Sequence, residues 1–314
     1  MNTPLVRKPV ITVVGSFAVG MTLRTDRMPI FGETLLGSDF DFGPGGKGSN
    51  QAVAAARLGA EAHFVGIIGT DQLGEIAMKL YGDEGVGFDH LIRTAAAPTG
   101  VGFIIVNPAG SNGIILDMGA NKRLDAIHVE KAEALIRRSD VVLSVLEVPL
   151  EAAAAAMALG RKHGVRTILN PAPATKLPPE MLANVDLLTP NETELRILMG
   201  LRPDDPKPIK ELAVQLWEQF GVMVIVTRGE KGVLLVDRDG VREFTAIAVE
   251  VVDTTGAGDA FTAALAVGLG EGKAIAEAIR FASCNGALAC TRLGVIPALA
   301  NRSAVERRLA SQGK

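Results

Sequence analysis

Two cysteines, Cys284 and Cys290, are all that 314 residues contain. They stand six apart, on different faces of any helix that carries both, which excludes a disulfide frame and points to a reducing compartment. Four histidines, His63, His90, His128 and His163, are scattered without the spacing of a metal site. No apolar run approaches the ~20 residues that a membrane span needs; the longest covers residues 152–159. An N-terminal apolar run, 10–14, follows Arg7 and Lys8 but stops at Gly15 and Ser16, too short for a signal peptide. Long basic runs are missing too. With 32 Lys and Arg against 35 Asp and Glu the net charge is −3, so neither nucleic acid nor a membrane is an expected partner. What remains is a cytoplasmic protein, 48% hydrophobic, able to bury a large core as one domain over residues 1–314.

Strands and helices alternate along most of the chain. Short apolar runs at 10–14, 62–68, 141–146, 166–169, 185–188 and 222–227 read as buried strands, and helical patterns fall at 50–58, 73–81, 126–138, 151–163, 192–199 and 208–219. Such βα alternation predicts an α/β fold with a mostly parallel sheet, flanked by helices, and ligands at the carboxyl ends of its strands. Residues 16–42 break the rhythm with short alternating pieces among glycines and a proline. Together with a hairpin of 101–106 and 114–116, turning at 107–110, they predict a small inserted β-sheet lid over 16–42 and 99–118.

The stretch that organises the chain is Asp253-Thr-Thr-Gly-Ala-Gly-Asp-Ala-Phe261. Residues 244–252 before it read as a β-branched strand, and 260–269 after it as a buried helix. A Gly-Ala-Gly turn entering a helix leaves backbone N–H groups unpaired where the helix dipole favours negative charge. Asp259, expected to be ionised there, suits a base that takes a proton from a hydroxyl attacking a phosphoryl group. Taken alone, Asp259 also fits a plain capping role.

Gly43-Pro-Gly-Gly-Lys-Gly48 formally fits a dinucleotide fingerprint but lacks the buried strand before it, and Gly48 stands where a P-loop needs Ser or Thr. It reads instead as a close backbone approach with Lys47 and Asn50 reaching into a site. Asn170-Pro-Ala-Pro173 and Thr189-Pro-Asn-Glu-Thr-Glu194 each lie just past a strand end. Asn191 can cap the helix that follows, or Glu194 can face the cleft as an outer Mg²⁺ ligand. Glu147 ends another strand as a rim residue or a sugar-hydroxyl acceptor. The loop 227–232 is an ordinary hairpin turn or a cover for phosphates.

Taken in order, Gly45-Gly-Lys-Gly-Ser-Asn-Gln-Ala52, the two strand-end segments and the 253–261 block resemble ribokinase and the wider PfkB-type carbohydrate kinases, over residues 10 to 310. The resemblance implies ATP-dependent phosphorylation of a sugar hydroxyl by a ribokinase-like fold whose lid is often shared across a homodimer. By matching position, Asp259 looks like the catalytic base and Gly256, Ala257 and Gly258 like the anion hole. Gly46, Lys47, Asn50 and Glu147 fall where the family contacts its sugar. Asn191, Thr227, Arg228, Gly229, Gly232 and Ser283 fall along the nucleotide, and Glu194 near Mg²⁺ through water. A monovalent-cation site, with activation by K⁺, is implied at Asp253, Thr255, Ala289, Arg292 and Gly294.

Two departures from the pattern stand out. Ribokinases grip ribose with a Gly-Ser-x-Asn-x-Asp segment, whereas here Gly15-Ser-Phe-Ala-Val-Gly20 puts Ala18 and Gly20 at those places. Losing a charged acceptor for a diol costs roughly 1.5–3 kcal/mol, so ribose is not the favoured sugar; Asp39 or Asp41 of the lid is a candidate substitute. Ala298 stands where the family often has a serine near the cation. The expected activity is phosphorylation of a primary hydroxyl of a small sugar or polyol. The competing readings are a nucleoside kinase, a catalytically silent sugar or nucleotide sensor and, more distantly, a dinucleotide oxidoreductase.

Overall fold

Val10–Val14 forms the first strand (β1), inside a nine-stranded sheet, and each of its residues is buried. The remaining strands are β2 (Ala18–Arg24), β3 (Ser38–Gly45), β4 (Glu61–Gly69), β5 (Gly87–Thr94), β6 (Gly100–Val106), β7 (Asn112–Asp117), β8 (Val141–Val145), β9 (Arg166–Asn170), β10 (Leu187–Leu188), β11 (Met223–Thr227), β12 (Val233–Asp237) and β13 (Gly240–Phe244). The computed structural model describes residues 7–108 and 112–312. In the large sheet the order is β13-β12-β11-β10-β9-β8-β1-β4-β5. Pairings from β11 through to β5 are parallel, while β12 and β13 add an antiparallel edge.

A parallel sheet covered on both faces needs strands that are apolar at every position, and alternate side chains then enter different cores. Ile11, Val13, Val141 and Leu143 join one cluster, with helices Lys47–Arg57, Ala257–Gly270 and Ile275–Ala289. Val14, Val142 and Leu169 join the other, with helices Leu150–Lys162 and Ile209–Phe220. The Ala257–Gly270 helix is buried from Asp259 to Leu269. Its run of Ala and Gly lets neighbouring helices approach closely on all sides.

A second sheet, ordered β3-β2-β6-β7, is assembled from the two predicted lid segments. β2 runs antiparallel to β3 and parallel to β6, and β6 pairs antiparallel with β7. The β6–β7 hairpin matches expectation, although residues 109 and 110 of its predicted turn lie outside the described residues. One lid strand differs: β3 continues through Gly45, so the first half of the 43–48 glycine segment closes a strand, while residues 34–36, one of the alternating pieces expected in the lid, carry none. Gly46 alone, at φ 89°, then separates β3 from the helix starting at Lys47. A Cβ on Gly46 would lie 2.8–2.9 Å from the backbone of Ser16, Phe17 and Ala18, so only glycine fits.

Three further expectations are corrected. The strand predicted over 244–252 ends at Phe244, because the chain leaves the sheet edge there and 245–249 lines a cavity instead. The helix predicted over 126–138 is two, Ala126–Glu130 and Glu133–Arg138, separated where the Ala132 N–H bonds only three residues back to Val129 at 2.9 Å. The strand predicted at 185–188 shrinks to two residues. Among the described residues no helix is long and apolar enough to cross a membrane, and no three His, Cys, Asp or Glu cluster as a metal site.

Candidate active site

The Ala257–Gly270 helix starts three residues before the apolar pattern suggests, with Gly256 as its N-cap in the left-handed region at φ 79°. A Cβ on Gly256 would stand 2.5 Å from Val295 Cγ1, so the turn depends on glycine twice over. The Ala257 N–H donates to the Thr254 carbonyl at 3.2 Å and that of Ala260 to Gly256 at 2.9 Å. Gly258 and Asp259 fall in the first turn, where amides have no acceptor within the helix. Of the three amides expected to hold an anion, that of Ala257 is thus already engaged in the turn.

Asp259 does not cap this helix. Its side chain, 5% exposed, is gripped from the neighbouring helix: Asn50 Nδ2 donates to Oδ2 at 2.8 Å and Gln51 Nε2 to Oδ1 at 3.1 Å. Burial pushes the Asp259 carboxyl above the usual carboxylate range, while the Lys47 charge and the two amides pull back. Lys47 is half-buried; burial draws its pKa down, but Asp259, Glu147 and Glu194 outweigh that and leave it raised. Burial likewise raises Glu147 and Glu194, against the pull of Lys47 and of their own hydrogen-bond donors. One ammonium among three carboxyls leaves the group short of positive charge.

The carboxyl ends of adjacent strands deliver these groups. Ser16, past β1, donates from Oγ to Glu147 Oε2 at 2.6 Å, and the Lys47 N–H donates to the same oxygen at 2.8 Å. Gly46, Lys47, Asn50 and Glu147 are therefore brought together as expected. In the lid, Ala18 pairs with Gly45 and Gly100, and Gly20 with Gly43 and Gly102, giving two rows of small residues on one face. Asp41 pairs with Thr22 one row farther out, and both Asp39 and Asp41 are exposed.

Beside the helix start lies a cavity of about 680 Å³. Thr227, Arg228, Gly229, Gly232 and Ser283 are on its wall, with Ala257 and Gly258 at one end. Ser283 Oγ is buried there without a hydrogen-bond partner. Asn191 is not on the wall. Its Oδ1 accepts the Glu194 N–H at 2.8 Å and Glu194 Oε2 accepts the Asn191 N–H at 2.8 Å, a reciprocal cap on helix Glu192–Leu198. Asn191 nevertheless abuts the cavity, because it bridges to Thr227, whose N–H donates to Pro190 at 3.0 Å. Glu194 is thus part of the cap on its helix, and it lies near enough to Lys47 and Asp259 to feel their charges.

Two loops meet at Asp253. Oδ1 accepts the Thr255 N–H and Oγ–H at 2.9 and 2.7 Å, Oδ2 accepts the Gly294 N–H at 3.2 Å, and the Cys290 carbonyl accepts the amides of Val252 and Asp253. Ala289 closes the Ile275–Ala289 helix and Arg292 is exposed in the joining loop. Ser16, Gln51 and Asn170 are site residues to which motif reading assigns no role. Gln51 had a signal, standing beside Asn50 in the same block.

Comparison with known proteins identifies the family. A model of the pfkB family carbohydrate kinases matches residues 8–302. Ribokinase from Haemophilus influenzae is 37% identical over 292 residues, 93% of this chain and 95% of that protein. A deoxyribokinase from Salmonella typhi is 38% identical over 252 residues, 80% of this chain and 82% of that protein. The solved Arabidopsis thaliana ribokinase, complexed with ribose and ATP, matches with a TM-score of 0.89 at 34% identity, over 96% of this chain and 99% of that one. The family model spans every residue of the site, so the chain belongs to the pfkB family of carbohydrate kinases, phosphotransferases that act on a sugar hydroxyl.

Proposed function

We propose that the protein transfers the γ-phosphoryl group of ATP to a primary hydroxyl of a small sugar or polyol, with Asp259 as the general base. One observation carries this reading: a buried carboxylate, held by two side-chain amides, sits in the first turn of a helix whose N-terminus opens on a cavity. Kinases of this family use ATP with a divalent metal, which together supply the electrophilic phosphorus. Asp259 accepts the proton of the attacking hydroxyl, and the amides of Gly256 and Gly258 stabilise charge on the transferred group. Lys47 offsets the three carboxyls. Asn50 Oδ1, buried and unpartnered, is free to accept a sugar hydroxyl, and Glu147 can take another.

The residues fit the ions that this chemistry needs. A site short of positive charge and offering hard oxygen ligands suits Mg²⁺ near Glu194, through water. Asp253, Thr255, Ala289, Arg292 and Gly294 would hold K⁺ where a helix C-terminus leaves carbonyls unpaired, steadying the loop that shapes the anion hole. The names of the relatives make ribose and deoxyribose the first sugars to try. Against ribose stand the rows around Ala18 and Gly20, which offer it no polar side chain. The lid is proposed to join two copies through its other face.

The test is coupled ADP release on ribose, deoxyribose, hexoses, polyols and nucleosides, with Asp259→Asn as control. Turnover on a sugar or polyol and a loss of about 10²–10⁴ in the variant, with ATP affinity kept, are expected. Preference for a nucleoside, silence on the whole panel, or an undiminished variant would remove the reading.

A further inference from the structure

Behind Asp259 a chain of side chains runs from the base back to its own helix. Gln51 Nε2 donates at 3.1 Å to Asp259 Oδ1 and at 3.0 Å to Asn170 Oδ1. Asn170 Nδ2 donates at 3.1 Å to the Thr189 carbonyl. The Thr189 hydroxyl meets that of Thr262 at 3.1 Å, and Thr262 lies one turn beyond Asp259. Gln51 is fully buried, and Asn170 and Thr189 are 5% and 3% exposed.

An amide can usually flip, but this circuit has a fixed polarity. A peptide carbonyl only accepts, so Asn170 must turn its NH₂ to Thr189 and its oxygen to Gln51. Gln51 must then present N–H to Asn170, and the same nitrogen faces Asp259, while its own oxygen is left unpartnered. Asn50 is under no such constraint. Its Oδ1 is also unpartnered, so it can rotate to accept from a protonated Oδ2.

We propose that Gln51 and Asn170 are positioning residues that keep Asp259 Oδ1 a permanent hydrogen-bond acceptor, favour the ionised base and direct the proton from the sugar to Oδ2. In that step the sugar O–H bond breaks and its electron pair forms the new O–P bond. The P–O bond to ADP breaks, and the proton ends on Oδ2. This rests on the reading of Asp259 as the base. It also gives the Asn170 segment, otherwise without a role, a place in the reaction.

A donor to a buried carboxylate favours its charged form, so losing that donor must raise the proton affinity. The other charged groups near Asp259 are Lys47 on its own side, Glu147 past β8 and Glu194 on helix Glu192–Leu198, and all three stay in place in the variants below. The test is carbon-13 NMR of protein labelled at the aspartate γ-carboxyl, with Asp259→Asn to assign the signal. In Gln51→Met, which keeps the volume but not the donor, the Asp259 midpoint should rise by about one pH unit. Gln51→Glu, placing like charge there, should raise it further. The acid limb of kcat/KM on the best sugar of the panel should move by the same amount, with ATP affinity unchanged. A midpoint that stays put in either folded variant overturns the proposal. If instead the midpoint moves while Asp259→Asn still turns over, the base assignment fails and the relay stands.

Discussion

Asp259 combines a functional group with an energetic cost. Its carboxyl is raised by burial, so the folded protein holds that proton more tightly than the unfolded chain does. The stability this brings is complete below the ordinary Asp value of 3.8 and is lost as pH rises through the higher folded value, above which a buried charge must be sustained. Asp259→Asn escapes that penalty, because Asn50 can rotate its unpartnered oxygen to receive the new NH₂ while Gln51 goes on donating to the new carbonyl. The variant should melt on the order of 2 °C or more above wild type at pH 8, and the difference should vanish near pH 3; calorimetry across that range checks it. Gly20 allows a second prediction at this scale. A Cβ there would meet nothing closer than Ile104 Cδ1 at 3.6 Å, so the backbone admits an acid. Gly20→Asp should raise kcat/KM on ribose about tenfold or more, since a charged hydrogen bond contributes ~1.5–3 kcal/mol; an unchanged value would show that this row does not face the sugar.

At the scale of elements, what reads from sequence is what local rules decide. The buried strands, the helix after Gly256 and the Asn191 cap follow from apolar runs, a Gly-Ala-Gly turn and an Asn-x-x-Glu spacing. The misses arise where tertiary partners decide. Residues 245–252 are β-branched enough for a strand but have no neighbour to pair with beyond the sheet edge, and β3 runs into its glycines because β2 holds them in register. The role of Gln51, though not its motif, is hidden for a similar reason: its partners lie 119 and 208 residues away. Gly256→Ala tests how far one turn matters. The methyl would meet Val295 and the backbone would be strained, costing about 1–3 kcal/mol. Both melting temperature and kcat should fall, with kcat falling more because the first-turn amides move. A loss of stability with full kcat would count against those amides.

On the scale of the whole molecule, the lid leaves a face uncovered. Phe42, Met21, Phe103 and Ile115 stand in one row across its four strands, and Phe42, Phe103 and Ile115 are 54%, 51% and 66% exposed. Nothing in the sequence announces this row, which exists only once the register is set. If it joins two copies, sedimentation should show a dimer that Phe103→Asp converts to monomer; a wild-type monomer at micromolar concentration would end that idea.

Gly46 is the only residue between the lid strand β3 and the helix bearing Asn50 and Gln51. Any swing of the lid therefore has a single pair of torsions in which to be absorbed, and the rest must turn that helix. The carboxylate which that helix grips is thus joined to the small sheet through one residue, and a change in how the sheet sits would be felt at Asp259.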